Sequence, residues 1–285
     1  MDSYGRVRCA ILGATGIVAQ RFFQRIQFHP WLEPVAVVGS PETAETSHDD
    51  CLWSLDEERP PPSGLTIGGL ENIPSLIEDF RNLGVRIIFS ALPDEPAERV
   101  ERNLAAAGFL VVSHAQIHRL FPNIPLIVPE VNFRDLKLLE KQFDTADGRL
   151  ISCSNCTVAP IAITLAPLMK ICSISSVRVA TEQALSGGGR KLLAKAYSGE
   201  VIASEIPGEA ESVANELTKI LSSDFHIEAE CKRVTRDHGH YARIEVEFED
   251  SISAHQVIHS WQESTARGQE LNLPSAPSRP IVFVD

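Results

Sequence analysis

Cys156 is the residue with the most chemical promise. It sits in Ser154-Asn155-Cys156-Thr157, where a strand-like pattern gives way to an apolar, helical one. A thiol at such a junction feels the positive end of the helix dipole, which lowers its pKa and raises its thiolate fraction. A thiolate is a nucleophile for carbonyl carbon. Cysteine otherwise behaves as a small buried hydrophobe, and that reading fits Cys9, Cys172 and Cys231. Cys153 and Cys156 form a C-x-x-C, but the second pair that a zinc site needs is missing. A redox pair is the less favoured reading; one nucleophile beside a neighbouring thiol is preferred.

Asp237-His238-Gly239-His240 opens a strand pattern that runs from Tyr241 to Phe248, so His238 and His240 are expected to face the same side. Two histidines and one aspartate make a poor metal set, and no metal is expected. Spacing alone fits an exposed histidine pair; the functional alternative is a general base opposite a thiol. Ser186-Gly187-Gly188-Gly189 reads as an anion-binding backbone nest, a hinge or a plain flexible turn.

Gly13-Ala14-Thr15-Gly16-Ile17-Val18-Ala19 is the other chemical candidate. Glycines let a backbone turn sharply and approach a pyrophosphate, which the following helix N-terminus stabilises. The spacing G-x-x-G-x-x-A is a relative of the usual dinucleotide fingerprint, and a plain tight turn is the competing reading. The choice between NAD and NADP falls after the second strand, at Gly39-Ser40-Pro41-Glu42-Thr43. A 2′-phosphate wants a cation there, and Glu42 has the wrong charge.

Alternating elements must position these groups. Val7–Leu12 reads as a buried strand before the glycine turn, followed by a helix carrying Phe22, Phe23 and Ile26. Val35–Val38, Val85–Phe89 and Leu110–Val112 continue the strands, with helices over Ile73–Leu83 and Glu95–Ala107 and a surface excursion from Asp49 to Leu65. Strands joined by helical crossovers imply a parallel, doubly wound sheet. Beyond Leu150 the pattern changes. Helices over Cys156–Met169 and Glu209–Leu221 mix with strands over Ser175–Ala184, Ile227–Val234 and His240–Phe248, which suggests a mixed sheet. The fold class is therefore α/β: a Rossmann-like parallel-sheet domain over residues 1–153 and an α+β domain with a mixed sheet over 154–285.

The chain has 285 residues, room enough for two cores. Its formal charge of −12 argues against nucleic acid or anionic membrane as partners. The longest apolar stretches, such as Pro160–Met169, are far too short for a bilayer, and the opening residues lack a secretory pattern. Six cysteines in a chain of this size fit a reducing cytoplasm.

In this order, Gly13-Ala14-Thr15-Gly16, Ile88-Phe89-Ser90-Ala91-Leu92-Pro93, Pro125–Asn132, Ser154–Thr157 and Leu273–Pro277 resemble the aspartate-semialdehyde dehydrogenases. The likeness is to the archaeal and fungal branch that also resembles malonyl-CoA reductase. It implies an oxidoreductase in which Cys156 attacks a carbonyl, a hydride passes to or from NADP, phosphate attacks the thioester and His240 moves the protons. It further implies that Gln183 and Asn155 orient the substrate, Arg233 holds its carboxylate, Glu209 faces its amino group and Arg119 contacts phosphate. Gly13, Thr15, Gly16, Ile17, Ser40 and Gly187 would line the cofactor. The partner is then a small carboxylic substrate, and the assembly a homodimer or homotetramer built through the second domain, the dimerisation domain. The sequence departs from the family at Ser212, where a phosphate-binding lysine is usual, at Ser113-His114, around Glu42 and at Thr235-Arg236. The family also continues for several dozen residues past the position of Asp285. These departures leave NAD, or no cofactor, as alternatives to NADP, and a non-redox enzyme (acyl transfer, hydrolysis, addition or cyclisation) as the alternative function.

Overall fold

A computed structural model describes residues 5–142 and 149–284. The chain divides into two units. The first holds residues up to Pro125 together with Lys137–Cys153, and the second holds Leu126–Leu136 and everything from Ser154 on.

The first unit alternates β1 (Val7–Leu12), α1 (Ile17–Ile26), β2 (Leu32–Gly39), β3 (Ile67–Gly69), α2 (Ile73–Asn82), β4 (Ile87–Ser90), α3 (Asp94–Ala106) and β5 (Leu110–Ser113). The chain then leaves through β6 (Leu126–Ile127) and α4 (Pro129–Asn132), which group with the second unit, and returns as β7 (Arg149–Cys153). The unit's strand order is β3-β2-β1-β4-β5-β7, with its pairings parallel. The direction of winding reverses between β1 and β4. The connections that leave their paired carboxyl ends lead to opposite sides of the sheet order, and such a switch point opens a crevice for a ligand. Apolar runs make the strands central: Ala10, Leu12, Ile88 and Val111 are sealed into one core with Leu76, Phe80, Val100 and Leu104 from the crossover helices.

The second unit continues with α5 (Val158–Leu168), β8 (Ile174–Gln183), α6 (Gly189–Tyr197), α7 (Glu209–Leu221), β9 (His226–Arg233), β10 (Tyr241–Phe248), α8 (Ala254–Gln262) and α9 (Arg267–Glu270). Its sheet has the order β10-β8-β9, antiparallel on one side and parallel on the other. One face packs Val177, Val179 and Ile227 against Ile161, Leu165, Val213 and Leu217 of α5 and α7. The other face carries ion pairs such as Arg178–Glu228, at 3.1 Å, and Lys232–Glu182, at 3.0 Å. The period-two alternation of apolar and charged residues fixes this register, since a slip of one residue would bury the charges.

That register positions the chemistry. Gln183 at the end of β8 pairs with Arg233 at the end of β9, and Tyr241 at the start of β10 pairs with Glu182. Three expectations need correcting. His238 and His240 precede β10 and do not share a strand face, because the positive φ of Gly239, +81°, breaks the extended run between them. α5 begins at Val158, which leaves Cys156 in the turn before it. Cys172 and Cys231 are partly exposed rather than buried.

Candidate active site

Asn155 builds the turn that carries Cys156. Its carbonyl accepts from the N–H groups of Val158 and Ala159, at 3.1 and 3.3 Å, and its side-chain Oδ1 accepts from the Thr157 N–H at 2.9 Å and hydroxyl at 2.6 Å. The donors at the start of α5 are thus satisfied from Asn155. Pro160 is tolerated in that first turn because its missing N–H would have had no helical partner. Asn155 and Thr157 are buried while Cys156 between them is exposed, so the thiol projects from a fixed turn.

The Asn155 backbone N–H donates to Glu216 Oε2 at 2.8 Å, and Ser212 Oγ donates to the other carboxylate oxygen at 3.0 Å. Glu216 is completely buried. It lies on the apolar stripe of α7 with Val213, Leu217 and Ile220. A carboxylate costs several kcal/mol in such a position unless it is well partnered, and these bonds supply partners. Glu209 Oε1 accepts from Asn155 Nδ2 at 2.8 Å and from Gln183 Nε2 at 2.6 Å.

His240 faces the sulfur. Its Nε2 lies 3.2 Å from Cys156 Sγ, and its Nδ1 accepts from the Ala184 backbone N–H at 3.0 Å. Burial lowers the His240 pKa, and the nearby guanidinium of Arg233 adds to that, with Arg236 further contributing and Glu209 opposing. Arg233 donates from NH1 to the Ala184 carbonyl at 2.9 Å. Gly187 explains itself here. A Cβ at that position would stand 2.9 Å from Arg233 NH1 and 3.3 Å from His240 Cε1, so the residue leaves space for both side chains.

Cys156, His240, Gln183, Asn155, Glu209, Arg233 and Gly187 are therefore brought together within the second unit. Gly13, Thr15, Gly16, Ile17, Ser40 and Arg119 belong to the first. Arg119 follows β5 and donates from NH2 to the His114 carbonyl at 3.1 Å. Burial, with a further contribution from Arg119, depresses His114 to about 4. Burial raises Cys153 to about 11, which keeps it a protonated thiol and suits a neighbour rather than a second nucleophile.

Residues 8–139 match the semialdehyde dehydrogenase NAD-binding domain. The aspartate-semialdehyde dehydrogenase of Archaeoglobus fulgidus is 31% identical over 97% of this chain and 81% of its own. The chain belongs to the aspartate-semialdehyde dehydrogenase family. The malonyl CoA reductase (NADP) of Metallosphaera sedula is 29% identical over 97% of this chain and 79% of its own. A crystal structure of aspartate-semialdehyde dehydrogenase with NADP from Candida albicans superposes with a TM-score of 0.82, at 25% identity, covering 96% of this chain and 81% of that one.

A dehydrogenase of this family needs a dinucleotide, and the glycine turn fits one. Gly13 takes φ +84°, and a Cβ there would lie 2.7 Å from the Ala91 carbonyl oxygen. Its N–H and that of Ala14 both donate to the Val38 carbonyl, at 2.8 and 2.9 Å, which ties the turn to the end of β2. α1 starts at Ile17 with no side-chain cap and no acidic residue in its first turn, so its leading N–H groups suit a pyrophosphate. Gly13, Thr15, Gly16 and Ile17 would hold it. Ser40 is exposed at the end of β2, and its carbonyl accepts from the N–H groups of Thr43 and Ala44 at 3.0 Å.

Two contributors were not singled out from the sequence. Glu216 had a legible signal, a carboxylate on the apolar stripe of an amphipathic helix. The Ala184 backbone had none, because a main-chain donor leaves no trace in residue type.

Proposed function

We propose that the chain is an aspartate-semialdehyde dehydrogenase in which Cys156 is the nucleophile and His240 its proton-handling partner. The 3.2 Å approach of Sγ to Nε2 carries this reading. The thiolate adds to the aldehyde carbon, forming the S–C bond while the carbonyl π pair moves to oxygen. When bound, the nicotinamide accepts or returns the hydride. Collapse of the oxyanion leaves a Cys156 thioester, which phosphate opens.

Arg233 pairs with the substrate carboxylate, Gln183 and Asn155 orient its carbonyl end, Glu209 faces its amino group and Arg119 contacts phosphate. NADP is the expected dinucleotide, and the acidic turn at Glu42 makes NAD the comparison to run. Among the described residues no helix is long and apolar enough to cross a membrane. A homodimer formed through the second unit, in the cytoplasm, completes the proposal.

The purified chain, given aspartate semialdehyde and phosphate with NADP or NAD, is expected to reduce one dinucleotide in a phosphate-dependent reaction. Failure of both dinucleotides to bind in a fluorescence titration would remove the redox function. Turnover without any dinucleotide would support the non-redox alternative instead.

A further inference from the structure

We propose that His240 enters the reaction as a neutral imidazole with its proton on Nε2, fixed in that tautomer by the Ala184 backbone N–H. It then serves the Cys156 sulfur, and after it the substrate oxygen, as a hydrogen-bond donor. This rests on the thiolate chemistry proposed above and narrows what His240 does in it.

A neutral imidazole has one N–H and one bare nitrogen, and a backbone N–H can only donate. The Ala184 N–H points at Nδ1 from 3.0 Å, so Nδ1 must be the bare nitrogen and Nε2 must carry the hydrogen that faces Cys156 Sγ. The donor cannot easily turn away. The carbonyl of the same peptide unit, that of Gln183, accepts from the Val234 N–H at 2.9 Å, so both ends of this amide plane are held. The next residues are held too. Leu185 N–H donates to the Arg236 carbonyl at 2.8 Å, and Ser186 N–H to the Asp237 carbonyl at 3.0 Å.

A second proton on the ring would set Nδ1–H against the Ala184 N–H, two donors with no acceptor between them. The charges around the ring act in the same direction. Arg233 from β9 and Arg236 from the following loop both disfavour an imidazolium; Glu209 from α7 is the carboxylate that favours it. A thiolate–imidazolium pair is thus the arrangement this pocket resists, and a thiolate held by a neutral N–H is the one it accommodates.

The Cys156 thiol therefore releases its proton to bulk water before the substrate adds, and the addition itself moves no proton. Sulfur adds to the carbonyl carbon, the π pair goes to oxygen, and the Nε2–H that held the thiolate becomes available to the new oxyanion. Fixed donors aimed at developing charge are an efficient form of transition-state stabilisation.

Nitrogen NMR on the full chain labelled with ¹⁵N-histidine tests this, with the His240 ring assigned by its loss in His240→Asn. Between about pH 6 and pH 8, within the range where an ordinary histidine titrates, Nδ1 should stay unprotonated and Nε2 protonated. A protonated Nδ1 anywhere in that range overturns the proposal. Alkylation of Cys156, followed by peptide mass spectrometry, is the second measurement. His240→Gln retains an N–H donor and should keep the plateau rate within roughly tenfold of wild type, the scale of one modest hydrogen bond, whereas His240→Ala should fall further. Equal losses in the two variants would contradict a donor role. If the tautomer is found but no dinucleotide-dependent turnover, the proposed function fails and this inference stands. Turnover with a protonated Nδ1 has the opposite meaning.

Discussion

The glycine turn of the first unit and the thiol centre of the second are built by opposite means. The turn is made by consecutive residues and works through backbone: a positive φ at Gly13, two N–H groups on the Val38 carbonyl and the uncapped start of α1. The thiol centre gathers side chains from the Asn155 turn, the ends of β8 and β9, the first two turns of α7 and the loop before β10. Its defining pair lies 84 residues apart in sequence. A local backbone device tolerates changes elsewhere in the chain. An assembled centre depends on every element that delivers a residue to it, so a buried group such as Glu216, which holds the Asn155 N–H, matters there.

Substitutions in each region probe that difference. Cys156→Ala should have the largest effect, lowering turnover by at least ~10³-fold, as loss of a nucleophile does, with dinucleotide affinity unchanged in a fluorescence titration. Gly187→Ala comes next. Its Cβ must displace the Arg233 guanidinium or the His240 ring, and displacement of that kind costs up to ~10²-fold in kcat/KM. Gly13→Ala acts on the other region. It puts a side chain at φ +84° and 2.7 Å from a carbonyl oxygen, so dinucleotide binding should weaken severely while alkylation of Cys156 proceeds at the wild-type rate. Equal damage to both readouts would show that the two regions are not separable.

Glu216→Gln tests the buried support. An amide can still accept the Asn155 N–H, but its own NH₂ group enters a site built for an acceptor on both sides. A stability loss of about 1–3 kcal/mol is expected from the urea midpoint, together with slower Cys156 alkylation.

The last effect is one of pH and shows in full only in acid. His114 is held near 4 by burial, below its ordinary 6.5. The unfolded chain takes up a proton near 6.5 that the folded chain refuses, so this contribution is complete above that pH. It is lost as pH falls towards 4, by on the order of 3 kcal/mol at most. His48 and His240, also lowered, act with the same sign. Thermal melts from pH 7 to pH 4 should fall less steeply for His114→Gln.

How much of this was legible follows the same division. The parallel strands, the crossover helices and the glycine turn are local patterns of apolar runs and turn residues, and they can be read directly from the chain. α7 was legible to the residue because its acidic first turn and apolar period agree. Cys156 was visible as a thiol at a strand-to-helix junction. His240 alone reads as an exposed histidine, with a general base opposite a thiol as the functional alternative, and the family resemblance selected the second reading and paired it with Cys156. The strand register that sets Gln183 beside Arg233, and the peptide between Gln183 and Ala184 that orients the imidazole, are products of long-range pairing. Short segments such as β3 and β6 carry too few residues for a period to show.

The most direct measurement is mass spectrometry of the intact and digested chain after incubation with aspartyl phosphate in the absence of a reduced dinucleotide. A single aspartyl thioester on the peptide containing Cys156, absent in Cys156→Ala, is the expected result. Acylation at another cysteine, or none under conditions where the chain turns over, would contradict the assignment of this sulfur as the nucleophile.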